Sequence, residues 1–357
     1  MSRDAERLAG GLLVGGLQGT TLPEDFARAL RQGHRGGAIL FRRNVEGFAQ
    51  VRELTGAIAA SGLVSGRVPF IAVDQEGGRV GRLPEGAVHP PPMRQLAAFG
   101  EPSRVRRAGR LLGEQLRLLG FNLDFAPVLD VDSNPGNPII GDRSFGSEPE
   151  QVIACARQLA QGLAEAGVLA CGKHFPGHGD TDLDSHLDLP VVRHSLERVR
   201  RVELRPFAAL AAELPTMMSA HVVFDALDPG VPATLSPRVC EDLLRRQLGF
   251  EGVLFSDDLE MRALHDRWPV EVTAVGAVRA GCDVLLVCSS WELQERAWVA
   301  LVREIERDAE FARRAELAAS RRGALQARLA DPRPTAGAPF VPEGAQEFVW
   351  RRPRDAG

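Results

Sequence analysis

Residues 168–186 read VLACGKHFPGHGDTDLDSH. The run Val168–Lys173 is short and apolar until it ends on two titratable residues, Lys173 and His174. Pro176, Gly177 and Gly179 follow and rule out a regular helix, so the polar half of the stretch is a loop. A strand apolar on both faces is one buried between helices in a parallel sheet. Titratable groups just past its C-terminal end stand where α/β barrels keep their chemistry.

The same pattern recurs in both directions. Short apolar runs occupy Leu12–Leu17, Gly37–Phe41, Pro69–Val73, Asn122–Val128, Thr216–Val223, Gly252–Ser256 and Asp283–Val287. Helix-like stretches lie between and after them, near residues 23–32, 46–60, 102–119, 148–166, 195–213, 237–248, 270–280 and 291–306. Eight alternations imply parallel pairing and predict a single-domain (β/α)₈ TIM-type barrel over residues 1–330. A doubly wound open sheet is the alternative, but it concentrates ligands at one switch point. Here polar residues end several runs: Asp74, Asp130, Lys173 with His174, His221 and Asp257. Residues 331–357 form a Pro- and Gly-rich tail with no core of their own, in which Phe340, Phe348 and Trp350 are candidate pins. No internal repeat is found.

Composition narrows the function. The 357 residues are 44% hydrophobic, carry a net charge of -4 and have a pI near 6.1, which argues against a general nucleic-acid binder. The charged start MSRDAERLAG is not followed by an apolar h-region, so no secretory signal is expected. No apolar run reaches the ~18 residues of a membrane span. Five cysteines without a CxxC read as reduced core thiols, and the expected compartment is the cytoplasm. Of 43 basic residues only Lys173 is a lysine, and tyrosine is absent. In so arginine-biased a chain, a solitary lysine inside the densest histidine cluster suggests a site that needs a compact ammonium; chance is the other reading.

Lys173–His186 gathers one lysine, three histidines (His174, His178, His186) and three aspartates (Asp180, Asp182, Asp184). A metal site is disfavoured because Pro176 and Gly177 keep His174 and His178 off a common helix face. A P-loop is disfavoured because His174 stands where Ser or Thr belongs, and helix precedes strand. A solvated loop remains a plain alternative. Asp184-Ser185-His186 suggests an acid–base dyad, in which the carboxylate sets the imidazole's tautomer; alone, such a triplet is weak. In GVLFSDDLEM (252–261) a strand ends on Asp257 and Asp258, placed for a nucleophile or for a helix N-cap, and position does not choose between them. In AVDQEGGRVGR (72–82), Asp74 can hold sugar hydroxyls while Arg79 or Arg82 returns a charge to the site; an Asp–Arg brace is the structural alternative. In NPIIGDRSFG (137–146), Arg143 is a candidate substrate contact.

Together these motifs resemble family 3 glycoside hydrolases, specifically the single-domain bacterial β-N-acetylhexosaminidases, over roughly residues 10–310. The resemblance implies an enzyme of cell-wall recycling that removes a terminal β-linked N-acetylglucosamine from anhydro-muropeptides with retention. It implies Asp257 as nucleophile, through a covalent glycosyl intermediate, and His186 with Asp184 as acid/base. It also implies sugar contacts from Asp74, Arg82, Arg143, Lys173 and His174. No metal or organic cofactor is implied. The expected partner is a small carbohydrate, with no nucleic acid and no membrane, and the expected state is monomeric. Larger members take an acid/base from a second domain; here both catalytic groups are expected from the barrel. Glu260, at a position that varies, and the C-terminal tail depart from the pattern, and neither is expected to touch the chemistry. A histidine in place of one of the two usual carboxylates would not repel an anionic acceptor. A phosphorylase on the same barrel is therefore the alternative, and a non-catalytic sugar-binding barrel a more distant one.

Overall fold

Eight parallel strands close a barrel in strict chain order: β1 (Leu13–Gly16), β2 (Gly37–Leu40), β3 (Phe70–Val73), β4 (Leu123–Asp124), β5 (Leu169–Phe175), β6 (Thr216–Ser219), β7 (Val253–Asp258) and β8 (Val284–Val287). The ring closes where Leu13, Val14 and Gly15 pair with Leu285, Leu286 and Val287. The structure is a computed structural model and describes residues 2–181, 189–335 and 337–350.

Alternation along each strand explains why the runs are apolar throughout. Ile39, Ala72, Met218, Phe255 and Leu286 point into the barrel and form its inner core. There the Phe255 ring meets Phe70 and Phe125 edge-on at 5.5 and 5.4 Å. Their neighbours Leu40, Ile71, Met217, Leu254 and Leu285 point outward into the layer shared with the helices.

Six of the surrounding helices fall on the expected stretches: Glu24–Gln32, Phe48–Leu63, Pro102–Leu118, Pro149–Glu165, Val270–Ala280 and Trp291–Arg307. Proline supplies the first turn of the third and fourth. The Ser290 hydroxyl caps the last by accepting from the Leu293 N–H at 3.2 Å.

Departures have local causes. The Asn122–Val128 run gives only a two-residue strand, because Pro127 has no N–H to extend the ladder. Thr216–Val223 divides, its end joining Val191–Val192 in a separate two-stranded sheet. The 195–213 helix splits into Leu196–Arg201 and Arg205–Leu210, the second with Pro206 in its first turn. Residues 238–247 wind as a π-helix. The helices Arg3–Gly11 and Ala309–Gln326 were not foreseen; the latter sends Leu325 into the inner core, closing the N-terminal end of the barrel. No described helix is long and apolar enough to cross a membrane.

Phe340 stacks on Phe48, Phe348 is buried in the core, and Trp350 stacks on His89. All three candidate pins therefore meet the barrel.

Candidate active site

At the C-terminal mouth a cavity of about 410 Å³ is lined by Asp74, Arg82, Arg143, Lys173, His174 and Asp257, together with Glu76, His178, Asp258 and Glu260. Its floor is apolar, made by Ile39, Met218 and Leu286, which belong to the inner core. The size suits a small polar ligand entering from one side.

The cations are held by one buried carboxylate that sequence reading had passed over. Glu76 accepts from Lys173 Nζ at 2.6 Å and from Arg143 Nε and Nη2 at 2.8 Å each. Lys173 Nζ also donates to Asp74 Oδ1 at 2.7 Å. Burial alone would raise the Glu76 carboxyl, but Arg143 and Lys173 outweigh it and hold the group below the usual carboxylate range. Burial would equally discharge Lys173, and Asp74 and Glu76 overcome it, keeping the ammonium charged. The compact head proposed for Lys173 thus sits between two carboxylates, with the planar fork of Arg143 already on the far side of Glu76. The sequence signal for Glu76 is slight: a glutamate three positions past a buried strand and followed by two glycines, in VDQEGG.

His174 Nδ1–H donates to Asp130 Oδ2 at 2.7 Å, which leaves Nε2 toward the cavity, 3.5 Å from Arg143 Nη2. Asp130 lies behind the site and accepts from the His178 N–H at 2.7 Å as well, so one carboxylate shapes the start of the loop. Gly179 is required there, since a Cβ would fall 1.7 Å from Val131 O. His178 Nδ1 is 2.7 Å from Thr181 Oγ1. Burial and the neighbouring His174 push its imidazole down to about 4, so it is neutral. His221, also expected at a strand end, instead supports β7 from outside the cavity wall, with Nε2 2.9 Å from Asp258 O.

The two aspartates ending β7 differ. Asp258 Oδ1 accepts from the Cys288 and Glu260 N–H groups, both at 3.1 Å. Burial, with repulsion from Glu260 and Asp257, pushes its carboxyl up to about 7. Asp257 Oδ1 accepts from the adjacent Asp258 N–H at 2.8 Å. Glu260, expected to be remote, lines the cavity and accepts from the N–H groups of Ser289 and Ser290. Arg79 does not reach the site. It pairs with Asp142 at 3.2 Å and donates to Ile139 O, bracing one mouth loop on another. Asp184 and His186 lie outside the described residues. Among the described residues no cluster of His, Cys, Asp and Glu could hold a metal ion.

Carboxylates of unequal acidity and fixed cations gather around one cavity at the C-terminal mouth of a (β/α)₈ barrel, the place where enzymes of this fold keep their active sites. Residues 14–316 match the glycosyl hydrolase family 3 N-terminal domain, and the chain belongs to that family. It is 41% identical over 295 residues to the β-hexosaminidase of Pseudomonas aeruginosa, covering 82% of this chain and 87% of that one. It superposes on a family 3 β-N-acetylglucosaminidase from Paenibacillus sp. with a TM-score of 0.91 at 39% identity, over 96% of this chain and 67% of that one. It also superposes on NagZ from Neisseria gonorrhoeae, solved in complex with N-trifluoroacetyl-D-glucosamine, with a TM-score of 0.70 at 33% identity, over 88% and 98%. Within family 3 it is a glycoside hydrolase of the β-N-acetylhexosaminidase type.

Proposed function

We propose that this enzyme is a retaining exo-β-N-acetylglucosaminidase of the cytoplasm. It acts as a monomer on N-acetylglucosaminyl-anhydromuramoyl peptides released during cell-wall recycling. The observation that carries the reading is the convergence of Asp74, Lys173, His174, Arg143, Arg82 and Asp257 on one cavity whose floor is the barrel's own core. A blind cavity takes the end of a glycan, which favours exo action.

In this reading Asp74, Lys173, His174, Arg82 and Arg143 grip the hydroxyls of the terminal sugar. Asp257 attacks the anomeric carbon and forms a glycosyl ester as the bond to the leaving oxygen breaks. His186, supported by Asp184, gives its proton to that oxygen. As a neutral imidazole it then takes a proton from the water that cleaves the ester, restoring Asp257 with net retention. Asp258, with its raised pKa, carries less negative charge beside the nucleophile than a normal carboxylate would. A phosphorylase is the second reading, since a neutral imidazole would not repel an anionic acceptor as a second carboxylate would.

The test is to compare kcat/KM on an aryl N-acetylglucosaminide and the matching aryl glucoside, each with and without phosphate. The expected result is strong preference for the N-acetyl substrate and free N-acetylglucosamine as product. Preference for the glucoside overturns the substrate, and a phosphate-dependent sugar phosphate product establishes the second reading.

A further inference from the structure

The loop after β3 carries Asp74, Glu76 and Arg82, and its hub is His89. The His89 Nε2–H donates to Gly78 O at 2.7 Å, and Nδ1 accepts from Gln75 Nε2 at 3.2 Å. Only the neutral tautomer with its proton on Nε2 serves both bonds. Gln75 passes the constraint on: its Oε1 accepts from the Arg82 N–H at 2.7 Å and the Leu83 N–H at 3.3 Å. The Gln75 N–H is itself anchored on Asp124 Oδ1 at 2.9 Å. Turn and ring are in direct contact, since a Cβ on Gly81 would lie 2.1 Å from His89 Cε1.

His89 is held in turn by the C-terminal segment. Its N–H donates to Phe348 O at 2.6 Å, and its carbonyl accepts from the Trp350 N–H at 2.8 Å. This is a parallel bridge between His89 and Val349. The Trp350 ring stacks on the imidazole, centroids 5.8 Å apart and planes 23° from parallel. The segment has its own anchors: Ala345 and Phe348 are buried in the core, and Glu347 pairs with Arg107 at 2.7 Å.

We propose that residues 345–350 are a strap that completes the active site: by fixing His89 they fix Gln75, and through it the place of Arg82 in the cavity wall. This rests on the reading of Arg82 as a sugar-binding residue. His89, Phe348 and Trp350 do not line the cavity, so they are positioning residues that act through Arg82. A guanidinium that grips the same sugar before and during bond cleavage contributes uniform binding. Loosening it raises KM and leaves kcat largely in place.

The test uses Trp350→Ala, Phe348→Ala, His89→Ala and His89→Asn in the full-length chain, with two readouts. Amide hydrogen exchange over residues 75–83 requires no turnover. It is expected to quicken about tenfold or more in the alanine variants, as for any segment that loses its closing contacts. On the aryl N-acetylglucosaminide, KM is expected to rise about tenfold while kcat stays within about twofold. His89→Asn, whose Oδ1 can accept from Gln75 in place of Nδ1, recovers part of both effects. Unchanged exchange over 75–83 overturns the strap, whether or not the enzyme accepts this substrate. Faster exchange with unchanged KM on an active enzyme overturns its role in the site. If Phe348→Ala loosens the whole barrel, the Trp350 and His89 variants decide. If the wild type does not turn over the substrate, the function reading fails and exchange alone decides the strap.

Discussion

Glu76 Oε1 stands 2.6 Å from Lys173 Nζ, and the two side chains are only 2% and 3% exposed. Glu76→Gln keeps the shape but leaves Lys173 with Asp74, and Arg143 with Asp130 and Asp74, as remaining counter-charges. Breaking one member of a buried pair typically costs about 3–5 kcal/mol, and urea unfolding at neutral pH is expected to show a loss of that order. The loss also has a pH signature. The folded-state pKa of Glu76 is depressed, so its stabilisation is complete above the unfolded carboxyl value of about 4.3 and disappears as pH falls through the folded value. The gap between variant and wild type should therefore be widest near neutrality and narrow below about pH 4. A gap that does not change with pH contradicts this assignment.

Lys173→Arg keeps the charge but not the fit. A planar head must enter a space bounded by Asp74 and Glu76, beside an arginine that already occupies one side of Glu76. Displacing groups around a reacting sugar by about 1 Å can cost about 10²-fold, and a loss of that order in kcat/KM is expected. Near-wild-type kcat/KM would leave the solitary lysine to chance.

Asp257 is expected to carry the glycosyl group. Trapping with a slow 2-fluoro sugar, then peptide mapping, should place the label on Asp257. A label on Asp258, or activity lost without any label, contradicts the assignment. The latter outcome would point to attack by the substrate's own acetamido oxygen, with Asp257 orienting it.

Asp258 gives a pH dependence of opposite sign to that of Glu76. Its folded-state value, about 7, lies above the unfolded one, so the folded protein favours the protonated acid. Stability from this group is present at low pH and falls as pH rises from about 4 to about 7. Asp258→Asn cannot ionise and should gain on the wild type across that window, by up to about 1.4 kcal/mol per pH unit. Parallel stability curves for the two proteins would refute the shift.

His186 is expected to matter in proportion to how much the leaving group needs a proton. General acid catalysis contributes about 10²–10⁴-fold where the leaving group is poor. His186→Ala should thus lower kcat/KM far more on a disaccharide than on a nitrophenyl glycoside, and Asp184→Asn should show a milder version. Equal losses on both substrates would make His186 a binding or loop-ordering residue.

Much of the barrel was legible because its signals are local. An apolar run that stops on a charged residue marks both the strand and its functional end, as at Asp74, Lys173 and Asp257. Where local rules compete, the reading blurred: Pro127 shortened β4, and the 195–213 helix broke with Pro206 in the first turn of its second half. The missing parts of the site depend on tertiary meetings. Glu76 becomes important only where the β3 loop, β5 and the Arg143 loop converge, and His89 only where the chain's end returns to that loop. Asp257 and Asp258 are adjacent and chemically identical in sequence. They part company because burial, with Glu260 close by, raises the Asp258 carboxyl, while the Cys288 N–H just past β8 only partly offsets this. The Asp184–His186 pairing rests on sequence alone.

The pairing of Leu13–Gly15 with Leu285–Val287 sets a timetable for biosynthesis. β1 leaves the ribosome before β8, and it must wait for β8 before its second edge is covered. Until then the nascent sheet is an open ribbon with two bare, apolar edges, the form most prone to pairing with other chains. Residues 345–350 emerge later still. The enzyme is therefore shielded from aggregation only after residue 287 has been made, and the loop that carries Arg82 is braced only after residue 350.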